Sequence, residues 1–281
     1  MNHLTDQLTA ADGVNLFVQT WVGDEDPQGI LILVHGLGEH SDRYQNYLDY
    51  FVPRGYAVVA YDTRGHGRSG GRRVYVDQFQ QYVDDLACVI SHTRLTYQTP
   101  KLFVLGHSLG SLMVLSYGLQ HPTEIAGLIV SGTALRDALE LPSWKRVLAR
   151  ILSRIAPTTQ IDNGLIVSYL SHDPGVVTAY QQDPLVQFTG TPRLLTEVEA
   201  TRSYLFDKAS TWQAPLLMLH GGDDRICLRE GAQAFYDRIP AGLAEFHVYA
   251  GSYHEIHNEQ NKGEVFGDIE RWLKDHSQSL R

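Results

Sequence analysis

Cysteine is scarce in this sequence: Cys88 and Cys227 are the only two among 281 residues, and they lie far apart. A disulfide framework is thereby excluded as the organising device, and a reducing cytoplasmic setting fits. Positive charge is also short. Lys and Arg number 23 against 32 Asp and Glu, a net charge of −9, which argues against a nucleic-acid partner. The N-terminal MNHLTDQLTAADG has no apolar core of the kind an export signal carries. Repeats and low-complexity tracts are absent. Long apolar runs are nearly so: residues 102–123 carry no formal charge and have the length of a membrane span. However, Gly106, His107, Ser108, Gly110, Ser111, Ser116, Gly118, Gln120, His121 and Pro122 interrupt them, which predicts a buried strand, a turn and a buried helix.

What remains is an ordinary globular balance, 43% hydrophobic and 20% charged, with a clear rhythm. QLTAADGVNLFVQTWV predicts a hairpin around Asp12-Gly13. GILILVH (29–35), YAVVAY (56–61), residues 102–105, 125–130, 215–220 and 245–249 predict short buried strands. Helical spacing at 44–53, 76–94, 109–119, 229–238 and 265–274 falls between or after them. This alternation predicts an α/β fold, a mostly parallel twisted sheet with helices on both faces and the hairpin at its edge. Residues 133–210 break the pattern with helical patches and five prolines. They predict a helical insertion above a core made of residues 1–132 and 211–281.

In such sheets, sites form beyond the carboxyl ends of the strands. Three stretches there carry chemistry. Gly106-His107-Ser108-Leu109-Gly110 is a G-x-S-x-G turn between strand and helix, which exposes a serine hydroxyl and needs minimal side chains two residues to either side. A serine hydroxyl needs a base, and the base an orienting acid. MLHGGDDRICL offers Asp223 and Asp224; YAGSYHEIHNE offers His254 and His257. The order serine, acid, histidine suits this scaffold. Backbone N–H groups for an oxyanion are expected from Leu109, at the helix N-terminus, and from Leu37 in the glycine-bearing loop His35-Gly36-Leu37-Gly38.

HGLGEHSDRY, YDTRGHGRSGG, GHSLG, HGGDDRIC and YHEIHNE, in this order, resemble the monoacylglycerol lipase and lysophospholipase branch of the α/β-hydrolases. The resemblance covers roughly residues 10 to 275 and is weakest over 133–210. It implies the α/β-hydrolase fold and a serine hydrolase of lipid carboxylic esters, most readily monoacylglycerols. Lysophospholipase or broad carboxylesterase activity is the alternative, and a non-catalytic binding protein on the same fold the rival from another class. It implies Ser108 as nucleophile, Asp224 as orienting acid, His254 as base, and Leu37 and Leu109 as oxyanion donors, with no metal or organic cofactor. Glu39, Arg43 and His257 match residues around the alcohol end of the family's pocket; Glu39 and Arg43 read equally well as an ion pair that holds the loop. Cys227 matches a family cysteine and reads as a small buried apolar residue. Residues 61–69 read as a structural loop. Two positions depart from the family: Ser111 stands where glycine is frequent, and Asp42 adds a negative charge near the expected head-group end, which favours neutral head groups.

In this family the insertion is a cap. Within it, LPSWKRVLARILSRIAP (141–157) places Trp144, Val147, Leu148, Ile151, Leu152 and Ile155 at helical spacing beside Lys145, Arg146, Arg150 and Arg154. A basic amphipathic helix at 143–156 can lie on an anionic lipid surface, as a peripheral contact, or can turn its stripe inward onto the domain. Tyr169, Tyr180, Phe188, Tyr204 and Phe206 read either as lining of an acyl channel or as the insertion's own core.

Overall fold

A computed structural model describes residues 1–97, 101–138 and 142–277. Strands β1 (Asn2–Thr9) and β2 (Asn15–Val22) form the hairpin. β3 (Gly29–Val34), helix α1 (Gln45–Phe51) and β4 (Tyr56–Tyr61) follow. Next come α2 (Gln80–Tyr97), β5 (Leu102–His107), α3 (Leu109–Gln120) and β6 (Gly127–Ser131). The inserted stretch holds α4 (Ser143–Ile155), α5 (Pro174–Gln182) and α6 (Pro192–Lys208), with a two-residue ladder between β7 (Ile161–Asp162) and β8 (Thr189–Gly190). β9 (Leu216–Gly221), α7 (Arg229–Tyr236), β10 (Ala244–Tyr249) and α8 (Lys262–Ser277) complete the order.

Eight strands make one sheet, ordered β1-β2-β4-β3-β5-β6-β9-β10. From β4 to β10 every pairing is parallel, and the antiparallel hairpin lies at one edge, as expected. The unbroken apolar runs have a direct cause. Ile30, Ile32 and Val34 of β3 pack in one core with residues of α2, α3 and α7, while Leu31 and Leu33 pack in the other with α1 and α8. Both faces are covered, so both side-chain sets must be apolar. β1 begins at Asn2 rather than near Gln7, because it is an exposed edge strand with no apolar alternation to betray it.

Among the described residues, no strand of the stretch 133–210 joins the large sheet. Its last helix is nevertheless no satellite: Leu194, Val198 and Leu205 of α6 enter the main core. α4 packs on α6, with Ser153 Oγ and Thr196 Oγ1 at 2.9 Å. Leu141, the first residue of the basic segment, lies outside the described residues. The stripe of α4 does not turn inward. Trp144 is 63% exposed, Ile151 50% and Ile155 74%, and Ser153 is the buried residue of the helix. The aromatic residues divide. Tyr180 packs with Leu170 and Val186 in a small separate core, Phe206 joins the main core beside Phe235, and Phe188 and Tyr204 are partly exposed. Tyr169 lies beneath the Arg225 guanidinium.

The loop after β4 is a brace. Buried Arg64 holds Asp85 at 2.6 Å through two nitrogens and reaches Asp12 at 2.6 Å. Asp62 accepts from Ser41 N, Ser41 Oγ and Arg68 N. Asp42 is matched in charge by Arg68, and Gln19 also donates to it at 2.6 Å. The negative charge expected to disfavour anionic head groups is therefore compensated.

Candidate active site

Ser108 occupies the turn between β5 and α3 with φ 52° and ψ −119°. Positive φ is costly for a residue with a Cβ and persists only where the surroundings enforce it. They do: Ser108 N donates to Ser131 O at 3.0 Å, and Ser111 N donates to Ser108 O at 3.0 Å. The flanking glycines are required by space. A Cβ on Gly106 would stand 2.4 Å from Gly110 O, and one on Gly110 would stand 2.3 Å from Val34 O.

The loop after β9 brings Asp224 to the same end of the sheet. Its Oδ1 accepts the amides of Ile226 (2.8 Å) and Cys227 (2.9 Å). Its Oδ2 accepts from Nδ1 of His254 at 2.7 Å. Donation from Nδ1 leaves Nε2 of His254 as the basic nitrogen. Asp223 is exposed, and among the described residues His257 has no hydrogen-bond partner on either ring nitrogen, so of the alternatives open in the sequence Asp224 and His254 are the pair in contact. The His254 ring lies against Gly132, directly after Ser131, and 4.7 Å from the His107 ring. Ser108 and His254 are thus neighbours across the ends of β5 and β6. The Ser108 hydroxyl lies beside the Cys227 thiol; its link to His254 is not closed by a hydrogen bond here. Such links commonly tighten only when substrate is bound.

Electrostatics favour a charged pair. Burial would raise the Asp224 carboxyl, but His254 and His220 outweigh it and hold it well below the usual carboxylate range. Burial would lower His254; Asp224 overcomes that and leaves its pKa raised. The surrounding histidines behave oppositely. Burial pushes His257 down to about 4 and His107 well below its ordinary value, so both stay neutral.

The loop after β3 abuts the serine: a Cβ on Gly36 would lie 3.0 Å from Ser108 Cβ. Leu109 N begins α3 and points out of it, as unpaired first-turn amides do. Glu39 fixes the loop from behind. Its Oε1 accepts Gly36 N at 2.6 Å and Tyr44 Oη at 3.1 Å, while Oε2 pairs with Arg43. Arg43 also grips Glu255 at 2.8 and 3.0 Å and lies 4.4 Å over the Tyr180 ring. Burial would lower the Arg43 pKa, but Glu255 and Glu39 raise it. These are the contacts of a loop brace, the second of the two readings open for Glu39 and Arg43. His257 is buried between Tyr44, Tyr47 and His107.

Two residues at the site escaped the sequence. His220 places Nε2 3.3 Å from Asp224 Oδ2 and 3.0 Å from Cys227 O. Glu255 supplies the second carboxylate on Arg43. A histidine four residues before the acid, at the same strand end, was the available signal for the first.

A family model described as serine aminopeptidase, S33, matches residues 25–261. The monoacylglycerol lipase of Mycolicibacterium smegmatis is 33% identical over 265 residues, 94% of each chain. Phospholipase YtpA of Bacillus subtilis is 28% identical over 88% of this chain and 95% of its own. The crystal structure of Paleococcus ferrophilus monoacylglycerol lipase matches with a TM-score of 0.84 and 32% identity, covering 93% of this chain and 99% of that one.

Proposed function

The chain belongs to the serine aminopeptidase S33 family of α/β-hydrolases, and on that footing we propose that it hydrolyses monoacylglycerols through an acyl-enzyme on Ser108. The 2.7 Å contact between His254 Nδ1 and Asp224 Oδ2 at the end of the sheet that bears Ser108 carries this reading. His254 Nε2 takes the Ser108 proton as Oγ attacks the ester carbonyl. The oxyanion settles against the Leu37 and Leu109 N–H groups. The intermediate collapses, and the imidazolium returns the proton to the departing glycerol oxygen. Water, deprotonated by the same nitrogen, then releases the fatty acid and restores Ser108. Asp224 remains ionised throughout and favours the imidazolium. Glu39 and Arg43, with His257 packed behind them, serve the alcohol end by holding the loop that carries Leu37.

Residues 133–210 act as a cap, and α4 is its lipid-facing element. Five exposed apolar side chains, Trp144, Val147, Leu148, Ile151 and Ile155, share this helix with Lys145, Arg146, Arg150 and Arg154. That composition suits a surface of anionic lipid, with the apolar stripe in the interface. Among the described residues no helix is long and apolar enough to cross a membrane.

The test is a panel of substrates: a long-chain monoacylglycerol, lysophosphatidylcholine, a short acyl ester and an aminoacyl anilide. The monoacylglycerol should show the highest kcat/KM, and a fluorophosphonate probe should label the parent but not Ser108→Ala. Preference for lysophosphatidylcholine, the chemistry nearest the phospholipase relative, would move the assignment to that head group. Labelling retained in Ser108→Ala would remove the nucleophile.

A further inference from the structure

Residues 134–138, leaving β6, form a strap that touches three regions at once. Ala134 N donates to Ser111 Oγ at 3.2 Å. Ser111 Oγ donates in turn to the Ser108 carbonyl at 2.5 Å, which also accepts Ser111 N. The Ala134 carbonyl accepts Nε–H of Arg202, on α6, at 2.5 Å. The two terminal nitrogens of Arg202 hold the Asp137 carboxylate at 2.5 and 2.7 Å. Asp137 forms an antiparallel bridge with Cys227, flanked by Ala138 N to Ile226 O (2.9 Å) and Leu228 N to Arg136 O (2.7 Å). Ile226 and Cys227 are the residues whose amides hold Asp224.

We propose that Ser111 and Arg202 are positioning residues that fix the Ser108 turn and the Asp224 loop relative to each other through this strap; the proposal rests on Ser108 as nucleophile. Both polar groups of one residue, Ala134, are used, one toward the serine turn and one toward α6. The Ser108 carbonyl belongs to a residue at positive φ, and two donors on it oppose relaxation of the turn. A glycine at 111 would offer the amide but not the hydroxyl. Arg202 is suited to its place because a guanidinium can grip a carboxylate with two nitrogens and a carbonyl with the third. A lysine would keep the charge and lose the fork. Helix α6 thereby sets the geometry of the reacting groups without touching them.

The experiment uses the full chain with Ser111→Ala, Arg202→Met, their double variant, Arg202→Lys, Asp137→Asn and Ser108→Ala. For each folded variant, kcat, KM, the rate of fluorophosphonate labelling and Tm are measured on one ester. Ser111→Ala and Arg202→Met should each lower kcat about 10-fold, as small misplacement of reacting atoms does. Labelling should slow in parallel with KM unchanged. Arg202→Lys should recover part of the loss. The two losses should combine less than additively, because both pass through Ala134. An unchanged kcat, or a rise in KM alone, overturns the proposal even if Tm falls. If Arg202→Met does not fold, Asp137→Asn and Arg202→Lys carry the same comparison. Full turnover in Ser108→Ala would instead indict the nucleophile assignment.

Discussion

His220 sets its Nε2 3.3 Å from Oδ2 of Asp224, the oxygen that also accepts from His254 at 2.7 Å. Its Nε2 lies equally within reach of the Cys227 carbonyl. Both neighbours are acceptors, so Nε2 carries the hydrogen. One carboxylate oxygen is therefore shared by two imidazoles, and His220 tempers its basicity.

Replacing His220 by Phe should free that oxygen for His254 alone and raise the His254 pKa further. The acid limb of kcat/KM in the parent should fall above 6.5, since the base must be neutral and its pKa is already raised. In His220→Phe it should move to higher pH. Asp224→Asn should lower kcat by about 10⁴-fold. A pH–rate profile of the three proteins checks this, and an acid limb moved downward in His220→Phe would contradict the shared-oxygen account.

Stability should fall on acidification well before carboxylates protonate. Burial holds His257 at about 4 and, with His35 beside it, His66 at about 3. The unfolded chain takes up these protons near 6.5, so it binds more protons than the native state as pH falls below that value. Each histidine should cost about 2 kcal/mol at pH 5 relative to pH 7. His254, with a raised pKa, contributes stability that is fully present below 6.5 and lost as pH rises above it, so it offsets part of the loss between pH 7 and 6.5 and adds nothing further below. Urea unfolding at pH 7 and pH 5 gives the comparison; equal stability at both would mean these rings are not held neutral.

Arg43 pairs with both Glu39 and Glu255, whose side chains are nearly inaccessible. Arg43→Met should leave two buried carboxylates without their partner and cost about 3–5 kcal/mol. Denaturant midpoints read this directly. Glu39→Gln, which keeps an oxygen for Gly36 N, should cost less.

Serine at Trp144, Ile151 and Ile155 should weaken binding to anionic vesicles while leaving hydrolysis of a short soluble ester unchanged. Flotation with vesicles containing phosphatidylserine, beside an assay on the soluble ester, separates the two effects. Binding equal to that of the parent would exclude α4 as the lipid-facing element.

The sheet was legible because each central strand is apolar on both faces, a pattern no exposed segment shows. Ser108, Asp224 and His254 were legible as three strand ends in a fixed order, yet choosing Asp224 over Asp223 needed a resemblance. The structure adds the reason: Asp224 turns inward to two amides, whereas Asp223 faces solvent. Glu255 stayed hidden because its partner Arg43 is distant in sequence, whereas His220, only four residues before Asp224, read as the end of a buried strand. The orientation of α4 was open, since an amphipathic stripe specifies that something apolar covers it but not what. The strap over 134–138 had no signal at all; its contacts are mostly backbone, and backbone has no letters.

The loop that bears Leu37 is riveted to the inserted stretch. Gln187 N donates to Gly38 O at 2.7 Å, His40 Nε2 meets Asp183 at 2.7 Å, and a side chain at 38 would collide with the Gln187 carbonyl at 2.2 Å. The inner half of the insertion thus behaves as masonry of the reaction chamber, while α4 stands outside these rivets. Substitutions can therefore accumulate on the outer helix with the chamber's dimensions untouched. Even one methyl group at position 38 would push apart the wall to which the chamber's ceiling is joined.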